Sequence, residues 1–152
     1  MLTSVSGERT VVAEDFFDYP FVTALRPDEL ITEVRLPLLG PSTGVGFREH
    51  APTAGAFAHV AACATATIER GRVTSSRLAV GGVAGRPRLL PSAIEALIGA
   101  VPSDQALAEV RDRVLAAVDP PADPVLPADY RRALAAELAV SALTEAVEEA
   151  SR

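Results

Sequence analysis

The stretch FAHVAACATATIERGRVTSSRLAVGG, residues Phe57–Gly82, decides the fold class of this chain. Its first part, Phe57–Ile68, is a run of small and β-branched residues whose period alone fits either a helix or a strand. The segment after it, Ile68–Val73, has the composition of a hairpin turn, with Gly71 available for positive φ. A hairpin needs a strand on each side, so we predict that Phe57–Ile68 pairs antiparallel with Val73–Val80.

The part of the chain beyond this hairpin, residues 89–152, has the pattern of helices. Pro91 suits the first position of a helix, and Gly99 suits the residue just after its end. Ser103 is a suitable N-cap for a second helix, and a third helix should begin near Ala128 or Asp129 after a proline-rich connection. Its apolar residues recur at three- and four-residue spacing and should pack on the preceding helices, with Leu134 and Leu138 also buried: Ala133, Ala136, Val140, Leu143 and Val147.

The first part of the chain, residues 1–40, is predicted to be extended and rich in loops. Thr32–Leu36 alternates as a strand does, and Pro37 should end it. Leu38–Gly46 is rich in glycine and predicts a turn or short linker, which includes Gly44–Gly46. Strands followed by helices indicate an α+β fold. We therefore expect a connecting segment over residues 1–40 and an α+β domain with a small antiparallel sheet of about three strands over residues 41–152.

The amino-acid composition excludes several classes of function. A chain of 152 residues with 49% hydrophobic but only 5% aromatic content predicts one packed core made of Ala, Val and Leu. The net charge of −6 and the lack of a basic stripe argue against nucleic-acid binding. The longest apolar stretch, Ala54–Ala66, is too short to span a membrane, and the N-terminus lacks the apolar region of a signal peptide. Cys63 is the single cysteine, so the default expectation is a cytoplasmic protein without an internal disulfide.

Few residues of the sequence are candidates for catalysis or metal binding. His50 and His59 are not joined by a cluster at metal-ligand spacing, and each is interpreted as a packed or solvated side chain. Cys63 lies among alanines, where an inert buried thiol is expected. Neither a nucleophile elbow nor a phosphate-binding loop is found, so we assign no catalytic residue and no metal ligand.

Two charged groups are interpreted as structural. Arg131 and Arg132 follow Tyr130 at the start of the last helix, where their charge opposes the helix dipole and requires a partner elsewhere. A structural or interface role is favoured over an anion site. The acidic run Glu145–Glu149 is interpreted as a solvated helix end.

Four signatures occur in a fixed order and spacing: DFFDYPFVTALRPDELITEVRLP (Asp15–Pro37), GAFAHVAACATAT (Gly55–Thr67), LAVGGVAGRPR (Leu78–Arg88) and DYRRALAAEL (Asp129–Leu138). Together they resemble the C-terminal part of the FAD-binding (medium) subunit of molybdenum hydroxylases, the family of xanthine and carbon monoxide dehydrogenases. The resemblance covers nearly the whole chain from about Val11. The family's glycine-rich loops that cradle FAD would lie upstream of the first signature.

The resemblance implies a small antiparallel sheet against a three-helix bundle, with residues 1–40 as the end of the FAD-binding domain. It also implies that Leu30 and Ile31 lie beside the flavin ring of FAD and that Arg48 comes near it. The loop over one flavin face matches Glu49–Gly55, but uncharged residues stand where the family often has charged ones: Pro52, Thr53, Gly55 and Ala56.

The resemblance leaves two functions open. In the first, the chain is a component of a molybdenum hydroxylase that shares FAD with an N-terminal half and works with iron–sulfur and molybdenum subunits. Electrons would then pass from iron–sulfur clusters to FAD, and the isolated chain would not be catalytic. In the second, it is a stand-alone domain that binds a small apolar molecule between sheet and helices, as a cofactor-free cyclase or isomerase does.

Overall fold

The computed structural model describes residues 1–124 and 126–152 and divides the chain into two compact units, residues 1–39 and 40–152. The first unit contains short elements only. Strands β1 and β2 are followed by a one-turn helix, α1, and by strands β3, β4 and β5. Their bounds are Leu2–Ser4, Gly7–Arg9, Ala13–Phe16, Phe17–Tyr19, Val22–Thr23 and Leu30–Ile31. Strands β2, β1 and β5 form an antiparallel sheet in that order, and β3 pairs with β4.

The predicted strand over Thr32–Leu36 is wrong. The strand ends at Ile31, and the alternating residues after it have irregular backbone. Val34 and Leu36 are 74% and 82% exposed, so the alternation has no buried face to occupy. Alternation predicts a strand only where one set of side chains is covered.

The second unit begins with a four-stranded antiparallel sheet in the order β6-β7-β8-β9. These strands are Thr43–His50, Val60–Glu69, Arg72–Gly81 and Arg88–Leu89. The hairpin between β7 and β8 is confirmed. Arg70 and Gly71 both have positive φ, at 53° and 73°, as the two central residues of a type I′ turn require.

The prediction of a turn at Gly44–Gly46 is wrong, because these residues lie inside β6. Neither glycine is needed for a bend of the chain. A Cβ added at Gly46 would lie 2.8 Å from the carbonyl carbon of Ala142 and closer still to its oxygen. At Gly44 an added Cβ would meet the backbone at Ala146. The two glycines are therefore needed because the last helix crosses β6 at backbone contact distance.

The helices follow in the predicted order. Helix α2 spans Pro91–Ile94 and continues as a 3-10 turn over Glu95–Leu97, α3 spans Asp104–Ala117, and α4 spans Ala128–Ala150. The predicted caps are present. Gly99 has a φ of 80°, and the Ser103 hydroxyl accepts the Ala106 N–H at 3.3 Å. In the described residues no helix is long and apolar enough to cross a membrane.

The α+β fold is confirmed, but α4 packs differently from the prediction. It lies on β6 and β7, while α3 contacts α4 and α2 contacts α3, so the three-helix bundle stays a prediction. Of the predicted stripe, Ala136 and Leu143 are buried, whereas Ala133 is exposed and Val140 half-buried. Leu138 is half-buried as well. The face toward the sheet is instead mostly alanine, which lets the two backbones approach: Ala135, Ala139, Ala142 and Ala146.

Candidate functional site

Leu30 and Ile31 form β5 and present apolar side chains to the surface. They pair with Thr3 and Leu2 of β1, and their exposed fractions are 72% and 51%. Successive side chains of a strand point to opposite faces of the sheet, so Leu30 and Ile31 flank the free edge of β5 on its two faces, and a ligand set against that edge can contact both.

Glu29, just before this strand, fixes its position. Its side chain is 5% exposed and binds Arg9 through two bonds, Nε to Oε1 at 2.6 Å and Nη2 to Oε2 at 2.8 Å. The Arg26 N–H also donates to Glu29 Oε2 at 2.8 Å. The Arg9 hydrogen bond, supported by the Arg26 N–H, lowers the pKa of Glu29 to about 2. The sequence analysis missed this bidentate pair, because no local pattern links residues twenty positions apart.

Arg48 lies in the second unit, on β6. It pairs with Ala62 of β7, and Ala62 is buried under α4, so Arg48 extends toward that helix. Its Nη1 binds Glu145 and also donates to the Phe47 carbonyl at 2.9 Å. The Arg48–Glu145 hydrogen bond is the main cause that lowers the pKa of Glu145, and the hydrogen bond from the Phe47 N–H at 3.0 Å is the second. The acidic helix end is therefore not simply solvated, because Glu145 and Glu149 both accept N–H groups of β6.

The structure places Leu30 and Ile31 on β5 of the first unit and Arg48 on β6 of the second. The loop between β6 and β7 begins and ends at a histidine pair. The His59 N–H donates to the His50 carbonyl at 2.8 Å, and the two rings are 6.2 Å apart. Among the described residues, no three or more His, Cys, Asp and Glu side chains come together as a metal site.

Cys63 is exposed, so the prediction of a buried thiol is wrong. Strand β7 alternates: its even-numbered alanines are buried against α4, and Cys63 points to the opposite, open face of the sheet. The register brings one row of side chains together on that face: Phe47, Cys63, Ala79 and Leu89. In the sequence, the alternating small residues of β7 and the glycines of β6 could have indicated which face of the sheet is covered by the helix and which is open.

Arg131 and Arg132 anchor the start of α4. Arg131 is 7% exposed and donates to the carbonyls of Gly82, at 3.3 Å, and Pro121. Arg132 donates to the Val118 carbonyl at 3.1 Å and to Asp119 at 2.7 Å. These bonds join the helix to the sheet end and to the connection before it, which is a structural role.

The chain matches known proteins over most of its length. The family model described as CO dehydrogenase flavoprotein C-terminal domain matches residues 46–146. The nicotine 6-hydroxylase medium subunit of Paenarthrobacter nicotinovorans is 30% identical over 94% of this chain and 50% of its own length. The glyceraldehyde dehydrogenase medium chain of Sulfolobus acidocaldarius is 28% identical over 95% of this chain and 51% of its own.

A solved structure gives the same result. Carbon monoxide dehydrogenase from Hydrogenophaga pseudoflava superposes with a TM-score of 0.90 at 28% identity, covering 97% of this chain and 52% of that chain. The chain thus spans about half the length of the curated relatives it matches.

Proposed function

The chain belongs to the family of CO dehydrogenase flavoprotein C-terminal domains, and on this premise we propose that it forms one wall of the FAD site in the medium subunit of a molybdenum hydroxylase. The cradle for the FAD phosphates belongs to an N-terminal half. This chain contributes an apolar wall from its first unit and a cation from its second.

The observation that carries the proposal is the exposed pair Leu30–Ile31. A flavin ring is flat and largely apolar, and its faces are covered best by aliphatic side chains held rigidly. The pair has this character, because β5 is hydrogen-bonded to β1 and Glu29 is bound to Arg9 just before it. The residues present therefore fit the ring of FAD and not its pyrophosphate.

In the assembled enzyme FAD supplies the chemistry of accepting and passing on electrons. We place its electron source in iron–sulfur clusters of a second subunit, which are reduced in turn by a molybdenum subunit. The relatives are named medium chain and medium subunit, which supports an enzyme of several subunits. The role of this chain is to orient the ring, exclude water from one face and set the local electrostatics.

The proposed wall of the FAD site can be tested in a reconstituted complex. The chain is combined with the FAD-binding half of a related medium subunit, and FAD affinity is followed by flavin fluorescence. Replacing Leu30 and Ile31 by serine should weaken FAD binding by about tenfold or more, because two apolar contacts are lost. Val34→Ser is the matched control, since Val34 is an exposed apolar residue of the same unit outside β5. If both variants bind FAD with equal affinity, Leu30 and Ile31 are not part of the FAD site.

Arg48 is proposed as the cation that stabilises negative charge on the reduced ring. Glu145 forms an ion pair with Arg48 and offsets part of this charge. Arg48→Ala should lower the flavin reduction potential and slow flavin reduction, whereas Arg48→Lys should retain much of both. Spectroelectrochemistry of the complex measures the potential. If both variants keep the unmodified potential and rate, Arg48 is not a cofactor residue.

A further inference from the structure

Strand β6 forms one edge of the four-stranded sheet, so half of its backbone groups point away from β7. The His50 carbonyl accepts the His59 N–H of the β7 side, which assigns the even-numbered residues of β6 to that partner. The N–H groups of the odd-numbered residues Thr43, Val45, Phe47 and Glu49 therefore point outward. Such an edge is a template on which another strand can pair.

Two of these N–H groups, those of Val45 and Phe47, are occupied by carboxylates of α4, and that of Thr43 donates to the Gly40 carbonyl at 3.0 Å. The Val45 N–H donates to Glu149 Oε2 at 2.5 Å, and the Phe47 N–H donates to Glu145 Oε2 at 3.0 Å. The two glutamates are four residues apart and lie on the same side of the helix. Two residues along an extended strand cover nearly the same distance as four along a helix, which explains why the two pairs match.

Arg48 completes the arrangement. Its Nη1 donates both to the Phe47 carbonyl at 2.9 Å and to Glu145. At Phe47 a carboxylate thus accepts the N–H while a guanidinium donates to the C=O, as the backbone of a neighbouring strand would do. We call Arg48, Glu145 and Glu149 the edge clasp.

The edge is suited to its own copy. In antiparallel pairing centred at Gly46, Val45 of one chain lies opposite Phe47 of the other and exchanges both N–H···O bonds with it. The two-fold symmetry repeats this exchange and satisfies the same four N–H groups that the two clasps now occupy. The side chains of Val45 and Phe47, which are 37% and 52% exposed, would meet across the new strand pair.

We propose that the edge clasp keeps β6 from pairing antiparallel with β6 of a second copy of this chain. Charged side chains commonly protect strand edges against association. Here they do so by hydrogen-bonding the edge itself, and the inference does not rest on the proposed flavin wall.

Self-association of the double variant Glu145→Ala/Glu149→Ala tests the proposal. Light scattering over a concentration series should give a dimer whose association constant is at least about tenfold above that of the unmodified chain. Glu148→Ala is the control for charge, because it removes an exposed carboxylate between the two clasp residues. This control should associate no more than the unmodified chain.

Adding Val45→Pro to the double variant identifies the surface. Proline removes the outward N–H and is tolerated on an edge strand, so the dimer should be lost. A double variant that does not associate, or a dimer that persists with Val45→Pro, overturns the proposal. If the double variant fails to fold, Glu149→Ala alone keeps the proposal testable: it frees the Val45 N–H and should raise self-association above that of the unmodified chain, and no rise would overturn the proposal.

Discussion

At the scale of single residues, the most constrained positions are glycines inside a strand. Gly46 is covered by the backbone of α4 at Ala142, and Gly44 by the same helix one turn further along. A helix that approaches a sheet this closely needs small residues on both surfaces, and alanine fills the helix side. The contact at Gly46 is with backbone atoms, which cannot rotate away as a side chain can.

Gly46→Ala should therefore destabilise the second unit by about 1–3 kcal/mol or more, since the added methyl group overpacks the contact. Gly40→Ala is the matched control, because the nearest atom to its added Cβ is the Thr43 hydroxyl oxygen at 3.8 Å. That change should be neutral or stabilising by up to about 1 kcal/mol. Urea unfolding of both variants measures the difference. Equal stability would show that α4 does not lie against β6 at this point.

At the scale of elements, α4 is held by large side chains at a few positions and by alanines elsewhere. Leu143 is fully buried, whereas Leu138 is half-buried at the margin of the core. Leu143→Ala should cost about 2–5 kcal/mol, and Leu138→Ala clearly less, because the cost rises with the cavity that is left. Denaturant unfolding of the two variants tests the order. A larger cost at Leu138 would mean that the helix is rotated about its axis.

These elements also show what the sequence could predict. The β7–β8 hairpin, the cap at Ser103 and the start of α4 near Ala128 were predicted because their signals are local. The alanine face of α4 was not, since helical spacing alone does not say whether alanine or larger residues meet the sheet. The bonds of Glu145 and Glu149 to β6 join residues about a hundred positions apart and leave no local signal.

In the first unit, the ion pair between Arg9 and Glu29 joins residues of different elements, and this makes the unit sensitive to acid. The pKa of Glu29 is lowered from 4.5 to about 2 by Arg9, so the folded unit favours the ionised form. The stabilisation is complete above about pH 4.5 and should be lost as pH falls toward 2. Amide exchange at Leu30 and Ile31 should therefore accelerate over this range. Glu29→Gln should abolish that pH dependence, whereas Glu8→Gln, which removes an exposed carboxylate of the same unit, should keep it.

At the scale of the whole molecule, charge bears on the proposed FAD site. The pyrophosphate of a dinucleotide is bound by free backbone N–H groups, commonly at a helix N-terminus. Three of the described helices carry an acidic residue in the first turn instead: Glu14 and Asp15 in α1, Asp104 in α3 and Asp129 in α4. These carboxylates, in a chain of net charge −6, disfavour a phosphate at those helix ends.

We therefore predict that the isolated chain does not hold FAD tightly, although its exposed pair Leu30–Ile31 suits the flavin ring. Titration with FAD, followed by flavin fluorescence quenching and ultrafiltration, should give no stoichiometric complex at roughly micromolar concentration. Adding the FAD-binding half of a related medium subunit should restore retention, because that half would supply the phosphate contacts. Riboflavin, which lacks the phosphates, is the control and should bind the isolated chain no more weakly than FAD does. A stoichiometric yellow complex of the chain alone would mean that the described residues do contain a phosphate site, and the division of the FAD site between two halves would fail with it.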